Sequence, residues 1–190
     1  MRVFGLTASA RPEPEPEETP NMAFSMYDAC VPVCTQVMTT LGAILDKAAA
    51  HAAAQKLEEA AFLQARLFPD MFPMARQVRQ ATDFARNAPG RLAGVALPDF
   101  PGTDGASFAA LKERVSESLA FIRAVPRAAI EGTEDKDVVW MQGTQQRSMK
   151  GRAYLLHFCL PNLFFHATTA YALLRHNGVE LGKRDFIGTF

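Results

Sequence analysis

Apolar residues recur along the chain in steps of three and four. Val33, Val37, Leu41, Ile44, Leu45 and Ala48 hold one face of a first helix. Ser25 with Asp28 three residues on has the form of a capping box, so this helix starts near Ser25 and carries Pro32 inside it, or starts at Pro32 itself. A second stripe, Met74, Val78, Ala81, Ala85 and Leu92, has Arg76, Arg79, Gln80 and Arg86 off it and Pro73 suited to its first turn. It predicts a helix over residues 72–92, preceded by a short helix or turn within residues 57–67 that Pro69 stops. After a loop over residues 94–102, interrupted by Pro98 and Pro101, Ser107 is the N-cap candidate for a third stripe: Phe108, Leu111, Val115, Leu119, Ile122 and Val125, ended by Pro126. Val138 to Gln142, then Gly143-Thr144, then Arg147 to Lys150 reads as a hairpin that must lie against helices to be stable. The last stripe is Leu155, Phe158, Phe165, Thr169 and Leu173, with Asn177-Gly178 as a left-handed C-cap. Four such helices joined by modest loops predict an all-α fold, an antiparallel four-helix bundle with a small β-hairpin before the last long helix.

Composition narrows the classes of function. The chain has 190 residues, 48% hydrophobic and 21% charged, which suits one globular domain and excludes disorder of the whole. Twenty Lys+Arg balance twenty Asp+Glu, and no basic run or nucleic-acid motif is visible, so sequence-reading contacts to nucleic acid are not expected. No run approaches the roughly 20 uninterrupted apolar residues of a bilayer helix, so no membrane partner is expected either. Three cysteines, Cys30, Cys34 and Cys159, form no Cys-x-x-Cys and argue against a disulfide framework, which points to a reducing cytoplasm. Arg2, Val3 to Leu6 and Ala8-Ser9-Ala10 faintly resemble a signal peptide, but the apolar run is shorter than the roughly 7–15 residues required.

Residues 1–21 end in alternating Pro and Glu, which favours extended polyproline II and buries nothing. They are expected to be a disordered tail ahead of a single domain over residues 22–190, with Met22 as the working start. The tail holds four acids and two bases, whereas residues 147–190 hold six bases against Glu180 and Asp185. Zero net charge is therefore a sum of unlike parts, and the positive end suits an anionic small ligand.

The last helix carries the one cluster of reactive residue types: His157, Cys159, Asn162, His166 and Tyr171. His157 and His166, nine apart, point to opposite sides of a straight helix, whereas Asn162 and His166, four apart, share a side. Asn162 falls on the apolar stripe, where an amide must find partners; it either fixes packing with His166 or belongs to a small site. Cys30 and Cys34 are four apart and could offer thiolates to zinc, but read more simply as small buried residues. No phosphate-binding Gly-rich loop, G-x-S-x-G or H-E-x-x-H occurs. Asp70, just before the second helix, is an acid, a metal ligand, or a carboxylate favoured at a helix N-terminus.

Three blocks are distinctive together: Ser25-Met26-Tyr27-Asp28-Ala29 with Val31-Pro32; Gln64-Ala65-Arg66-Leu67 through Pro69-Asp70-Met71-Phe72-Pro73; and Tyr154-Leu155-Leu156-His157-Phe158 onward. The last continues through Leu160-Pro161-Asn162, Phe165-His166, Thr169-Ala170-Tyr171, Leu174-Arg175, Asn177-Gly178-Val179, Gly182-Lys183 and Asp185-Phe186. Over residues 22–190 the chain resembles the domain-of-unknown-function family DUF1993, a branch of the DinB/YfiT-like superfamily. The resemblance implies a four-helix bundle, commonly dimeric, so a homodimer is expected. Many relatives hold a divalent metal with three histidines, and those of known activity are thiol-dependent transferases or hydrolase-like enzymes. In them an H-x-x-x-H pair comes from the last core helix and the third histidine from the second helix. Here the pair matches Asn162 and His166, and residues 72–92 contain no histidine. A set of His166, Asn162 and Asp70 or Gln77 would hold zinc or nickel weakly, because amide oxygen is a poor ligand for these metals.

Three functions follow as expectations. The first is a small ligand between helices, in a pocket lined by Phe72, Met74, Asn162, His166 and Tyr171, with at most a weakly bound divalent metal. The second is a metal-dependent enzyme using His166, completed by His157 or Asp70. The third is a dimeric structural bundle with no active site.

Overall fold

The computed structural model describes residues 25–99 and 107–189; the Pro/Glu tail and loop residues 100–102 lie outside that range. The protein is mostly helical, with one two-stranded sheet among the described residues. Helix α1 runs Met26–Gln55, α2 Glu59–Leu63, α3 Met74–Ala93, α4 Phe108–Ala124 and α5 Arg127–Ile130. Strands β1, Asp137–Gln142, and β2, Gln145–Lys150, then lead into α6, Gly151–Ala153, a π-helical stretch Tyr154–Cys159, α7, Leu160–His176, and α8, Lys183–Ile187.

Helix α1 begins at the earlier of its two expected starts. Ser25 is its N-cap, with Oγ accepting from Asp28 N at 3.0 Å, and Pro32 lies inside. Its continuation past Ala48 follows from an alanine-rich segment of high helix propensity, ending at Lys56 in the left-handed conformation, φ 54°. Helix α3 starts two residues later than expected, with Pro73 as N-cap, and all five residues of its stripe are fully buried. Ser107 caps α4 through Ala110 N at 3.1 Å.

The four long helices share one core. Helix α3 packs on α7, α4 and α1, while α1 also packs on α4 and α7. Among the described helices α1 alone has the length and apolar composition of a bilayer crossing, and half of its most apolar window is buried against its neighbours. Between α3 and α4, the 5% exposed Arg114 donates from Nε to Thr82 Oγ1 at 2.8 Å and from Nη2 to Asp83 Oδ1 at 2.6 Å. Arg86 joins the same carboxylate oxygen at 3.0 Å and reaches Pro98 O at 2.6 Å, so this arginine is drawn into the interior rather than left off the stripe in solvent.

The strands pair antiparallel, Asp137 opposite Lys150 and Gln142 opposite Gln145, around Gly143-Thr144. Val138 and Trp140 turn inward, and Trp140 packs on Tyr154 and Phe158 with ring centroids 5.0 and 4.9 Å away. The hairpin lies against helix, as its small size requires. Its exit is tight: a Cβ on Gly151 would come within 2.0 Å of Thr133 O.

The last long helix departs from the expected stripe. Pro161 has no N–H to give the His157 carbonyl, and its ring would crowd that carbonyl in a regular helix. The backbone widens instead, and Leu160 N–H bonds Leu155 O, five residues back. The extra residue in the wide turn advances every later side chain by one place. Phe165, expected on the buried stripe, is 55% exposed and His166 takes the inward position, while Thr169 and Leu173 of the expected stripe are buried beside Ala170 and Leu174. At the far end Asn177 has φ −87°, and it is Gly178 that adopts the left-handed conformation, φ 92°.

Candidate functional site

Where α3 and α7 face each other, the π turn presents His166 to the second helix. Its ring is 8% exposed and lies nearly parallel to Phe72 and Phe84, at interplanar angles of 11° and 12° and centroid distances of 6.5 and 5.7 Å. Phe165 approaches edge-on at 5.2 Å. Nδ1 lies 2.7 Å from Gln77 Oε1, and Gln77 Nε2 donates to Phe72 O at 3.1 Å. Because an amide oxygen only accepts, Nδ1 carries the proton and Nε2 is left with a lone pair. Burial holds the His166 pKa below its ordinary value, so the neutral imidazole is favoured. Nε2 makes no hydrogen bond to a described residue.

The aromatic wall continues away from His166. Phe84 meets Phe158 at 5.6 Å, Phe158 meets Trp140 and Tyr154, and Arg91 Nη1 donates to Tyr154 Oη at 3.0 Å. At the other end Arg76 stacks its guanidinium 3.7 Å over the Phe72 ring. The site is thus an imidazole between two phenyl rings with an arginine on its outer side.

The expected residues are distributed unevenly around this site. Phe72 and His166 meet. Met74 is fully buried in the shared core, and Tyr171 packs on Phe186 of α8 at 5.8 Å. Asn162 is half-buried and donates to Phe158 O of its own helix at 2.7 Å, a local bond that completes the turn beside Pro161. Asp70 and His157 are exposed. Gln77 and Phe84 carry more of the site than the sequence indicated; the available signal was a glutamine three residues after Met74, on the buried side of the second stripe.

A transition metal does not fit these donors. His166 spends Nδ1 on Gln77 and Asn162 spends its amide N–H on a carbonyl, leaving one imidazole nitrogen where a stable site needs three or four ligands. Among the described residues no group of three His, Cys, Asp or Glu could hold a metal. The three thiols are free and buried. Burial pushes Cys159 up to about 12, and Cys30 is raised by its hydrogen bond with the Cys34 thiol and by burial.

Two grooves lie elsewhere, between α1 and the C-terminal segment. One, of about 1240 Å³, runs from Pro32 to Ala43 along α1 and is walled by Lys183 to Thr189; the other, of about 740 Å³, lies by His51 and Glu180. Neither is lined by His166.

Comparison with known proteins agrees with this architecture. A crystal structure of a DinB family member protein from Shewanella denitrificans is 33% identical, covering 86% of this chain and 92% of that one with a TM-score of 0.75. No protein of curated function matches the chain. The model of the domain of unknown function DUF1993 matches residues 26–187, and the chain belongs to that DinB-like family.

Proposed function

We propose that this protein is a ligand-binding member of the DinB-like four-helix bundles, in which the position of the family's metal site has become a metal-free small-molecule site centred on His166. The observation that carries the reading is the Gln77 bond, which fixes the imidazole tautomer and leaves Nε2 as an acceptor with no hydrogen-bond partner among the described residues. Asn162 matches the first position of the histidine pair of metal-binding relatives, and the second helix offers Gln77 but no histidine, which supports a site without a metal. The ligand brings an N–H or O–H to Nε2, lays an apolar or planar part against Phe165 and Phe72, and directs an anionic group to Arg76, whose guanidinium makes no ion pair with a described residue. An anion on Nε2 itself would meet a lone pair, so the anionic group goes to Arg76 of α3 rather than to the imidazole. Three free, buried thiols fit a reducing cytoplasm.

The test is a screen of hydroxy- and amino-carboxylates against ¹⁵N-histidine-labelled protein. A binding partner should shift the Nε2 resonance of His166, and His166→Phe and Arg76→Ala should each weaken it about tenfold. Stoichiometric zinc or nickel uptake lost on His166→Ala would overturn the proposal, as would ligands that leave the His166 signal unmoved.

A further inference from the structure

The larger groove, between α1 and the C-terminal segment, is a built feature. Gln36 Nε2 donates to Ile187 O at 2.8 Å, Lys47 pairs with Asp185 at 2.7 Å, and these bonds hold the segment beside the helix. Gly188 makes the closest approach, with φ 75° and no room for a Cβ, which would lie 2.6 Å from the Thr40 methyl carbon. The floor is apolar although threonines form much of it. Thr39 and Thr40 turn their hydroxyls back onto their own helix, to Thr35 O at 2.8 Å and Val37 O at 3.0 Å, while Pro32 and Ala43 add hydrocarbon. From Pro32 to Ala43 the trough follows about 16 Å of helix, a shape for an extended chain rather than a compact ring. Lys183 and Arg184 stand on its wall, and neither side chain makes a hydrogen bond or ion pair with a described residue.

An apolar trough flanked by two cations without an ion-pair partner among the described residues is complementary to an extended apolar chain ending in a negative charge. We propose that the groove between α1 and α8 binds a single-chain anionic amphiphile, an alkyl carboxylate, with the chain along Thr35, Thr39 and Ala43 and the carboxylate at Lys183 and Arg184. The hydrocarbon supplies affinity that grows with length, and the cations fix which end lies where. This site is separate from His166.

Titration of the full chain with octanoate, decanoate and dodecanoate, each below its micelle concentration, tests the assignment. One-to-one binding should tighten by about fourfold per methylene until the trough is filled. The Lys183→Ala/Arg184→Ala double variant should bind dodecanoate about tenfold more weakly. Thr39→Trp, at an exposed position on the floor, should abolish binding while leaving the fold intact by circular dichroism. His166→Ala should bind dodecanoate as the parent does, so failure here and failure of the His166 reading are distinguishable. Dodecanol binding as tightly as dodecanoate would overturn the proposal, as would affinity independent of chain length or binding that survives Thr39→Trp. A dimer in light scattering that Thr39→Trp dissociates would also overturn it, by assigning the groove to a second copy of the chain.

Discussion

Gln77→Leu tests the arrangement at His166 directly, because it removes the oxygen that takes the imidazole proton while keeping the side chain's approximate volume. Gln77 is 1% exposed and His166 8%, so neither can readily exchange its partner for water. Leaving the His166 Nδ1–H without an acceptor costs about 1–3 kcal/mol, and losing the second bond, Nε2 to Phe72 O, adds about 1 kcal/mol. Added hydrocarbon from leucine offsets about 1 kcal/mol. The net loss is about 2 kcal/mol, which in a domain of this size lowers Tm by about 4–8 °C. His166→Leu alone should cost a similar amount, since it orphans Gln77 Oε1. The double variant removes donor and acceptor together, which is nearly neutral for the pair, so it should be more stable than the summed single effects by about 1–2 kcal/mol. Urea unfolding of the four proteins at pH 8 measures the coupling. A double-variant loss equal to the sum of the single losses would refute the tautomer assignment and the metal-site argument built on it.

The remaining predictions concern pH, the buried ion network and the thiols. Burial depresses the His166 pKa in the folded state, so its contribution is fully present above the ordinary value of 6.5 and is lost as pH falls from there toward the folded value; unfolding curves should show this slope, and the Gln77→Leu/His166→Leu variant should lack it. Asp83→Ala withdraws the carboxylate shared by Arg114 and Arg86 and should cost about 3 kcal/mol in urea unfolding, with Asp83→Asn costing less; a loss below about 1 kcal/mol would show that other partners suffice. Cys30, Cys34 and Cys159 are at most 1% exposed, so an aromatic disulfide reagent at pH 8 should react only as the protein unfolds, and rapid reaction of any thiol in the folded protein would contradict the packing around it.

The stripes on the first three long helices were legible in the chain because each is a local pattern enforced by burial. Val37 and Leu41, Met74 and Val78, and Phe108 and Leu111 are all buried where the periodicity puts them. Ser25 and Ser107 are N-caps for the same local reason, a hydroxyl two or three residues before an unpaired N–H. The last helix was legible in part: Leu155, Thr169 and Leu173 are buried where the stripe puts them and Phe165 is not, because Pro161 marks a disturbance but the direction in which the backbone yields depends on what α3 offers beyond it. The pairing of His166 with Gln77, 89 residues earlier, and the packing of Tyr171 on Phe186 depend on how whole helices rotate against each other. The groove by α8 was invisible for a related reason. Its walls are five residues of helix and a short extended end, too brief for periodicity to register.

The wide turn between Tyr154 and Cys159 gives the last helix two reading frames. In the frame it adopts, His166 sits between Phe72 and Phe84; in the frame of an unbroken α-helix, the residue there is Phe165, about 100° around the axis. Deleting one residue from the wide turn would let the helix become regular with His166 still facing Gln77. Restoring the missing amide with Pro161→Ala, at unchanged length, would instead favour a purely hydrophobic occupant in that aromatic slot. Whether this protein presents an imidazole or a phenyl ring to its second helix is therefore a matter of counting, set by one residue of helical slack.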